Sequence, residues 1–85
     1  MQKFQYTICD RLGIHARPAG QLCKLAKEYK SRIIISKDNV SVDATKLIAL
    51  MGMGIKQYDI ITVQTEGEDE EAAMQAVLNF LKQNL

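Results

Sequence analysis

Near the start of the chain, Phe4, Tyr6 and Ile8 alternate with Gln5 and Thr7. A two-residue period is that of a strand with one buried face. Residues 11–14 read as a loop. The period then changes: Ala19, Leu22, Cys23, Ala26 and Tyr29 recur at helical spacing and form one stripe. This helix should start at Ala16 or Arg17, because Pro18 is tolerated only in a first turn. Residues 32–36, rich in β-branched side chains, predict a buried strand. Residues 40–43 predict its hairpin partner, with the turn at Asp38 and Asn39, both tolerant of left-handed backbone. A short apolar helix follows over Leu47, Ile48, Leu50 and Met51. Asp43 or Thr45 is its candidate N-cap, and Gly52 and Gly54 end it. Residues 60–65 alternate again and predict a further strand, broken at Gly67. Asp69 should cap a last helix, with Glu70 and Glu71 in its first turn, Ala73, Ala76, Val77, Phe80 and Leu81 as its core stripe and Met74 alongside.

The resulting order, βαββαβα, predicts an α+β open-faced sandwich: helices cover one face of a sheet and solvent meets the other. Periodicity does not fix the strand order. The 85 residues are expected to form a single domain of modest stability, since a chain this short buries only about 60–65% of its unfolded surface.

Composition narrows the function classes. A net charge of +1 gives no footprint for nucleic acid or for a polybasic membrane contact. No apolar run approaches the ~20 residues of a membrane span, and the start has no signal-peptide pattern. The expectation is a cytoplasmic protein with no membrane insertion. Cys9 and Cys23 are too few for a metal site and are expected to pack as reduced thiols. The acidic stretch at residues 66–71 reads mainly as a helix start and solvated surface.

The chemistry concentrates in Gly13-Ile14-His15-Ala16-Arg17-Pro18-Ala19, which holds the only histidine and the only proline. At a helix start the first backbone N–H groups lack intrahelical partners and the dipole favours an anion. The helix end and the Arg17 cation both disfavour an imidazolium, so the ring can serve as a neutral nucleophile. A phosphoryl group on His15 would be stabilised by the amides of Ala16 and Arg17 and by the Arg17 guanidinium. Gly13 leaves the approach open to a partner. A lone histidine at a helix start is also a common surface residue or cap. With one histidine there is no Ser/His/Asp constellation, and no phosphate-cradling glycine loop is present. If His15 works, partners must supply the donor and the acceptor.

This heptapeptide resembles the active-site signature of the HPr family, the histidine-containing phosphocarriers of the bacterial phosphoenolpyruvate:sugar phosphotransferase system. The resemblance covers the whole chain. Residues 42–51 resemble the family's second signature, and residues 66–72 its final strand-to-helix junction. The resemblance implies a four-stranded antiparallel sheet with three helices on one face. It implies a phosphoryl carrier that is not itself an enzyme, with His15 accepting phosphate on Nδ1 from phosphorylated enzyme I. His15 would then pass it to the IIA domains of sugar transporters, Arg17 stabilising the phosphohistidine. No cofactor or metal is implied, and a monomer is expected. The alternative is an HPr-like regulatory module, of the carbon catabolite or nitrogen branch, that docks on partners such as transcriptional regulators.

Two features bear on partners. Many Gram-positive members carry a regulatory serine just before the short helix; the corresponding residue here is Lys46, preceded by Thr45. Serine-type regulation should be absent or rerouted to Thr45. Leu47, Ile48 and Met51 are either core residues or an exposed docking patch beside the site. Lys24 and Lys27 share a helix face with Arg17 and are expected to steer an acidic partner.

Overall fold

The computed structural model describes residues 1–85. Its elements are β1 (Gln2–Thr7), α1 (Ala16–Ala26), β2 (Arg32–Lys37), β3 (Val40–Asp43), α2 (Leu47–Gly52), β4 (Ile60–Glu66) and α3 (Glu70–Asn84). The four strands form one sheet in the order β1-β4-β2-β3, and every pair is antiparallel. This is the predicted open-faced α+β sandwich. The order brings the first strand beside the last, leaving β1 and β3 as edges. No helix is long and apolar enough to cross a membrane.

Register explains the covered face. Tyr6 lies opposite Ile61, Ile35 opposite Val63, and Ile33 opposite Thr65. Directly opposed residues share a face, so these side chains point together at the helices. Ile33, Ile35, Ile61, Val63 and Thr65 are fully buried there, against Leu22 of α1, Leu50 of α2 and Val77 and Leu81 of α3. The Thr65 hydroxyl donates to the Glu70 carbonyl at 2.9 Å, so its burial leaves no polar group unpaired. Truncating Val63 or Ile61 to Ala should cost about 2–4 kcal/mol.

The structure corrects several readings. Phe4 sits on the covered side but is half exposed, because β1 is an edge strand that the helices only partly reach. Neither Asp43 nor Thr45 caps α2. Lys46 immediately precedes that helix, while Asp43 Oδ1 accepts the Thr45 N–H (2.9 Å) and hydroxyl (2.7 Å) in a local turn. The Thr45 hydroxyl bond holds the Asp43 carboxyl below the usual carboxylate range. Asp69 does precede α3, but its carboxylate caps a different segment. Oδ1 accepts the Ser31 hydroxyl (2.5 Å) and N–H (2.8 Å), and Oδ2 accepts the Lys30 N–H (3.0 Å). In α3, Leu78 is buried while Ala76 and Phe80 are half-buried. Cys23 is buried, whereas Cys9 is exposed at the end of the edge strand. The hairpin turn matches expectation: Asp38 adopts φ 54°, the left-handed region that Asp tolerates.

Candidate functional site

His15 is the residue immediately before α1, with extended backbone (φ −101°, ψ −177°). Its carbonyl accepts the Ala19 N–H at 2.9 Å and so begins the helical ladder. The amides of Ala16 and Arg17 have no backbone or side-chain acceptor and lie next to the imidazole. Pro18 is buried in this first turn, where its missing N–H removes nothing. The ring does not fold back to cap the helix, and its side chain is 40% exposed.

The preceding loop fixes where the ring stands. A turn closes with the Gly13 N–H on the Asp10 carbonyl (3.0 Å), and the Ile14 N–H bonds the Ile55 carbonyl at 3.1 Å. Gly13 itself is buried at φ 64°. A Cβ there would fall 2.2 Å from the Ile55 carbonyl oxygen and 2.7 Å from Lys56 Cα. The backbone of residues 55–56 therefore demands glycine at 13, and access for a partner has no part in it. This corrects the sequence expectation.

Asp10 Oδ2 lies 3.5 Å from His15 Nε2, a contact that nothing in the sequence reading assigned. Together Asp10, His15, Arg17, Pro18, Gln21 and Asn84 line an open, mostly polar depression. Arg17 is exposed and makes no ion pair, so its guanidinium is free to meet an anion. The short distance from Asp10 to His15 in the chain is a signal that could have been read. Asn84 arrives from the far end of the chain with no local signal.

The other predicted residues fall on an adjoining surface. Lys24, in the last turn of α1, and Lys27, just past its end, are exposed. The Cys23 thiol donates to the Thr45 carbonyl at 3.1 Å, tying α1 to the turn before α2. On α2, Ile48 is 82% exposed, Met51 41% and Leu47 37%, whereas Leu50 enters the core. At ~100° per residue Ile48 points about 160° away from Leu50, so burying Leu50 turns Ile48 to solvent. Lys46 is exposed and, as a pure donor, offers no acceptor to the free amides of α2.

Comparison with known proteins meets this geometry from the outside. The family model described as "PTS HPr component phosphorylation site" matches residues 2–83. The phosphocarrier protein HPr of Mycoplasma pneumoniae is 40% identical over 85 residues, covering 99% of this chain and 97% of that protein. The HPr-like protein Crh of Halalkalibacterium halodurans is 37% identical over 82 residues, covering 96% and 98%. A solved mycoplasma histidine-containing phosphocarrier superposes with a TM-score of 0.94 at 34% identity, covering 96% of this chain and 93% of that one. Matched along nearly its whole length in sequence and in fold, the chain belongs to the HPr family and is a phosphoryl carrier of the bacterial phosphotransferase system, not an enzyme.

Proposed function

We propose that His15 is the residue that carries the phosphoryl group. Its Nδ1 attacks the phosphoryl group of phosphorylated enzyme I and later yields it to the IIA domain of a sugar transporter. The observation that carries this reading is the half-exposed imidazole standing beside two unpartnered amides, Ala16 and Arg17, at the start of α1. Those N–H groups and the free Arg17 guanidinium are the donors that stabilise the incoming charge, roughly −1.5 to −2 by analogy with other phosphorylated side chains. The shallow site fits a carrier, because a deep cage of donors would hold the phosphate too tightly to release it.

Docking follows from the adjoining surface. Leu47, Ile48 and Met51 offer apolar area, with Lys24 and Lys27 as its basic edge, suited to partners with an acidic rim. The protein acts as one cytoplasmic domain and as a monomer. Lys46 has no hydroxyl to phosphorylate, and the Thr45 hydroxyl is engaged with Asp43, so the serine switch of related carriers is absent.

Incubation with phosphoenolpyruvate and enzyme I tests the reading. An acid-labile, base-stable phosphate should appear and vanish in His15→Ala. Its absence, where a known carrier is labelled in parallel, overturns the assignment of His15. The likeness to an HPr-like protein Crh supports a second reading, a regulatory docking module. That reading gains if no phosphate forms while a partner still binds the face of Ile48 and Met51.

A further inference from the structure

We infer that Asp10 is a positioning residue for the phosphocarrier histidine: it holds the proton on Nε2 and leaves the lone pair on Nδ1. The inference rests on His15 being the acceptor, and adds what directs the chemistry to one of its two nitrogens. The placement is geometric. Asp10 Oδ2 stands 3.5 Å from Nε2. The backbone bonds that put it there do not involve its side chain: the Asp10 N–H bonds the Leu85 carbonyl at 2.9 Å, and the Asp10 carbonyl accepts the Gly13 N–H at 3.0 Å. The loop is thus pinned to the end of α3 on one side and turned toward α1 on the other.

An imidazole has two neutral forms, and the group facing one nitrogen selects between them. A carboxylate facing Nε2 attracts an N–H there and repels a lone pair. At 3.5 Å two full charges screened as in water would favour contact by about sevenfold; a neutral ring offers the carboxylate only part of a charge, so the Nε2–H form is favoured about two- to threefold. The other groups around the ring do not compete for that proton. Arg17 is a cation, Gln21 and Asn84 are uncharged, and Pro18 is apolar.

The transfer cycle then needs no proton movement. Nδ1 donates its lone pair to phosphorus, a P–N bond forms, and the bond from phosphorus to the donor breaks with its electron pair leaving on the donor. The ring now carries a positive charge, with its proton still on Nε2 facing Asp10. In the outward step the P–N bond breaks, the pair returns to Nδ1, and the ring leaves as the neutral Nε2–H form. Asp10 stabilises the cationic intermediate without touching the phosphate.

The experiment uses the full chain with ¹⁵N-labelled histidine, as wild type, Asp10→Asn and Asp10→Ala. In the unphosphorylated protein at pH 8 the ring ¹⁵N shifts report the two neutral forms. The Nδ1–H share should rise about twofold in both variants. Unchanged shares overturn the inference, even if His15 is phosphorylated normally. If the shares change but no variant or wild type takes phosphate, Asp10 still positions the ring and the assignment of His15 as acceptor fails instead. The pinning bonds belong to the backbone, so amide spectra away from the loop should be unchanged, and Asp10→Asn, nearly isosteric, keeps the comparison valid if Asp10→Ala unfolds.

Discussion

Replacing Gly13 by alanine should cost far more than one methyl group suggests. A Cβ at residue 13 would meet the Ile55 carbonyl oxygen at 2.2 Å and Lys56 Cα at 2.7 Å. Both neighbours are backbone, so neither can swing aside as a side-chain tip would. The φ of 64° adds about 1 kcal/mol for any residue with a Cβ. Moving the two segments apart stretches the 3.1 Å bond from Ile14 to Ile55, worth another ~1 kcal/mol. Overpacking strain contributes about 1–3 kcal/mol. The expected loss is thus about 3–5 kcal/mol, a large share of the ~5–10 kcal/mol such a domain has. Gly20 provides the internal control. It lies within α1, and a Cβ there would meet nothing within 4 Å. Gly20→Ala should therefore stabilise by about 0.5–1 kcal/mol through helix propensity. Equilibrium urea unfolding of the two variants beside the wild type reads both numbers. A loss below 1 kcal/mol for Gly13→Ala would refute the claim that residues 55–56 dictate glycine. Because the same loop sets the spacing of Asp10 and His15, phosphorylation by enzyme I should slow at temperatures where the variant is still folded.

Acid should weaken the fold through Asp69. The Ser31 hydroxyl, followed by the Lys30 N–H, holds its carboxyl below the usual carboxylate value. The folded state thus binds this proton less readily than the unfolded chain, so the stabilisation is complete above the unfolded value of ~3.9 and is lost as the pH falls through the folded one. Unfolding free energy measured from pH 7 down to 2 should drop more steeply in the wild type than in Asp69→Asn; equal slopes would count against it. Tyr58 sits at φ 72° in the turn closed by the Asp59 N–H on the Lys56 carbonyl, a position that suits glycine. Tyr58→Gly should raise stability by about 0.5–1 kcal/mol, and Tyr58→Ala should not; a gain with alanine would show that the aromatic side chain, not the backbone, carries the cost. Reversing charge at Lys24 and Lys27 together should slow phosphoryl transfer from enzyme I about tenfold at low salt and flatten its salt dependence, and stopped kinetics at several ionic strengths would expose the lysines as bystanders if nothing moved. A serine-specific HPr kinase with ATP should leave the protein unmodified, and mass spectrometry finding phosphate at any hydroxyl of residues 41–46 would contradict the reading of Lys46.

Where one element's own pattern decides its surroundings, the sequence is legible. The α1 stripe of Ala19, Leu22, Cys23 and Ala26 is buried as its spacing requires, and alternation in β4 buries Ile61, Val63 and Thr65. Pro18 marks the helix start because a missing N–H is harmless only there. Legibility stops where the deciding neighbour is remote. Phe4 obeys the same alternation as Tyr6, yet edge placement exposes it, and strand order is not a local property. Asp69 looks like a cap for α3 because Asp commonly is one; the Lys30 and Ser31 amides, reached only after folding, take its oxygens instead. Gly13 was visible as a glycine, but its reason lies in residues 55–56. His15 and Arg17 stand out from sequence, whereas Asn84 joins their depression only through the docking of α3.

These cases separate what holds the site from what works in it. The loop before His15 is fixed by backbone atoms: Asp10 on Leu85, Gly13 on Asp10, Ile14 on Ile55. The side chains proposed to do the work, His15, Arg17 and Ile48, contribute nothing to the cluster of buried residues under the sheet. A carrier must be engaged by different partners in turn, so its reacting groups have to stand free of the core that keeps them in place. Such a division predicts that His15→Ala, Arg17→Ala and Ile48→Ala each change stability by less than about 0.5 kcal/mol while abolishing or slowing transfer. Gly13→Ala, at a position buried against the backbone of residues 55–56, should instead cost the fold first. A large stability loss in Arg17→Ala would mean that its guanidinium is held by the protein and is not free for phosphate.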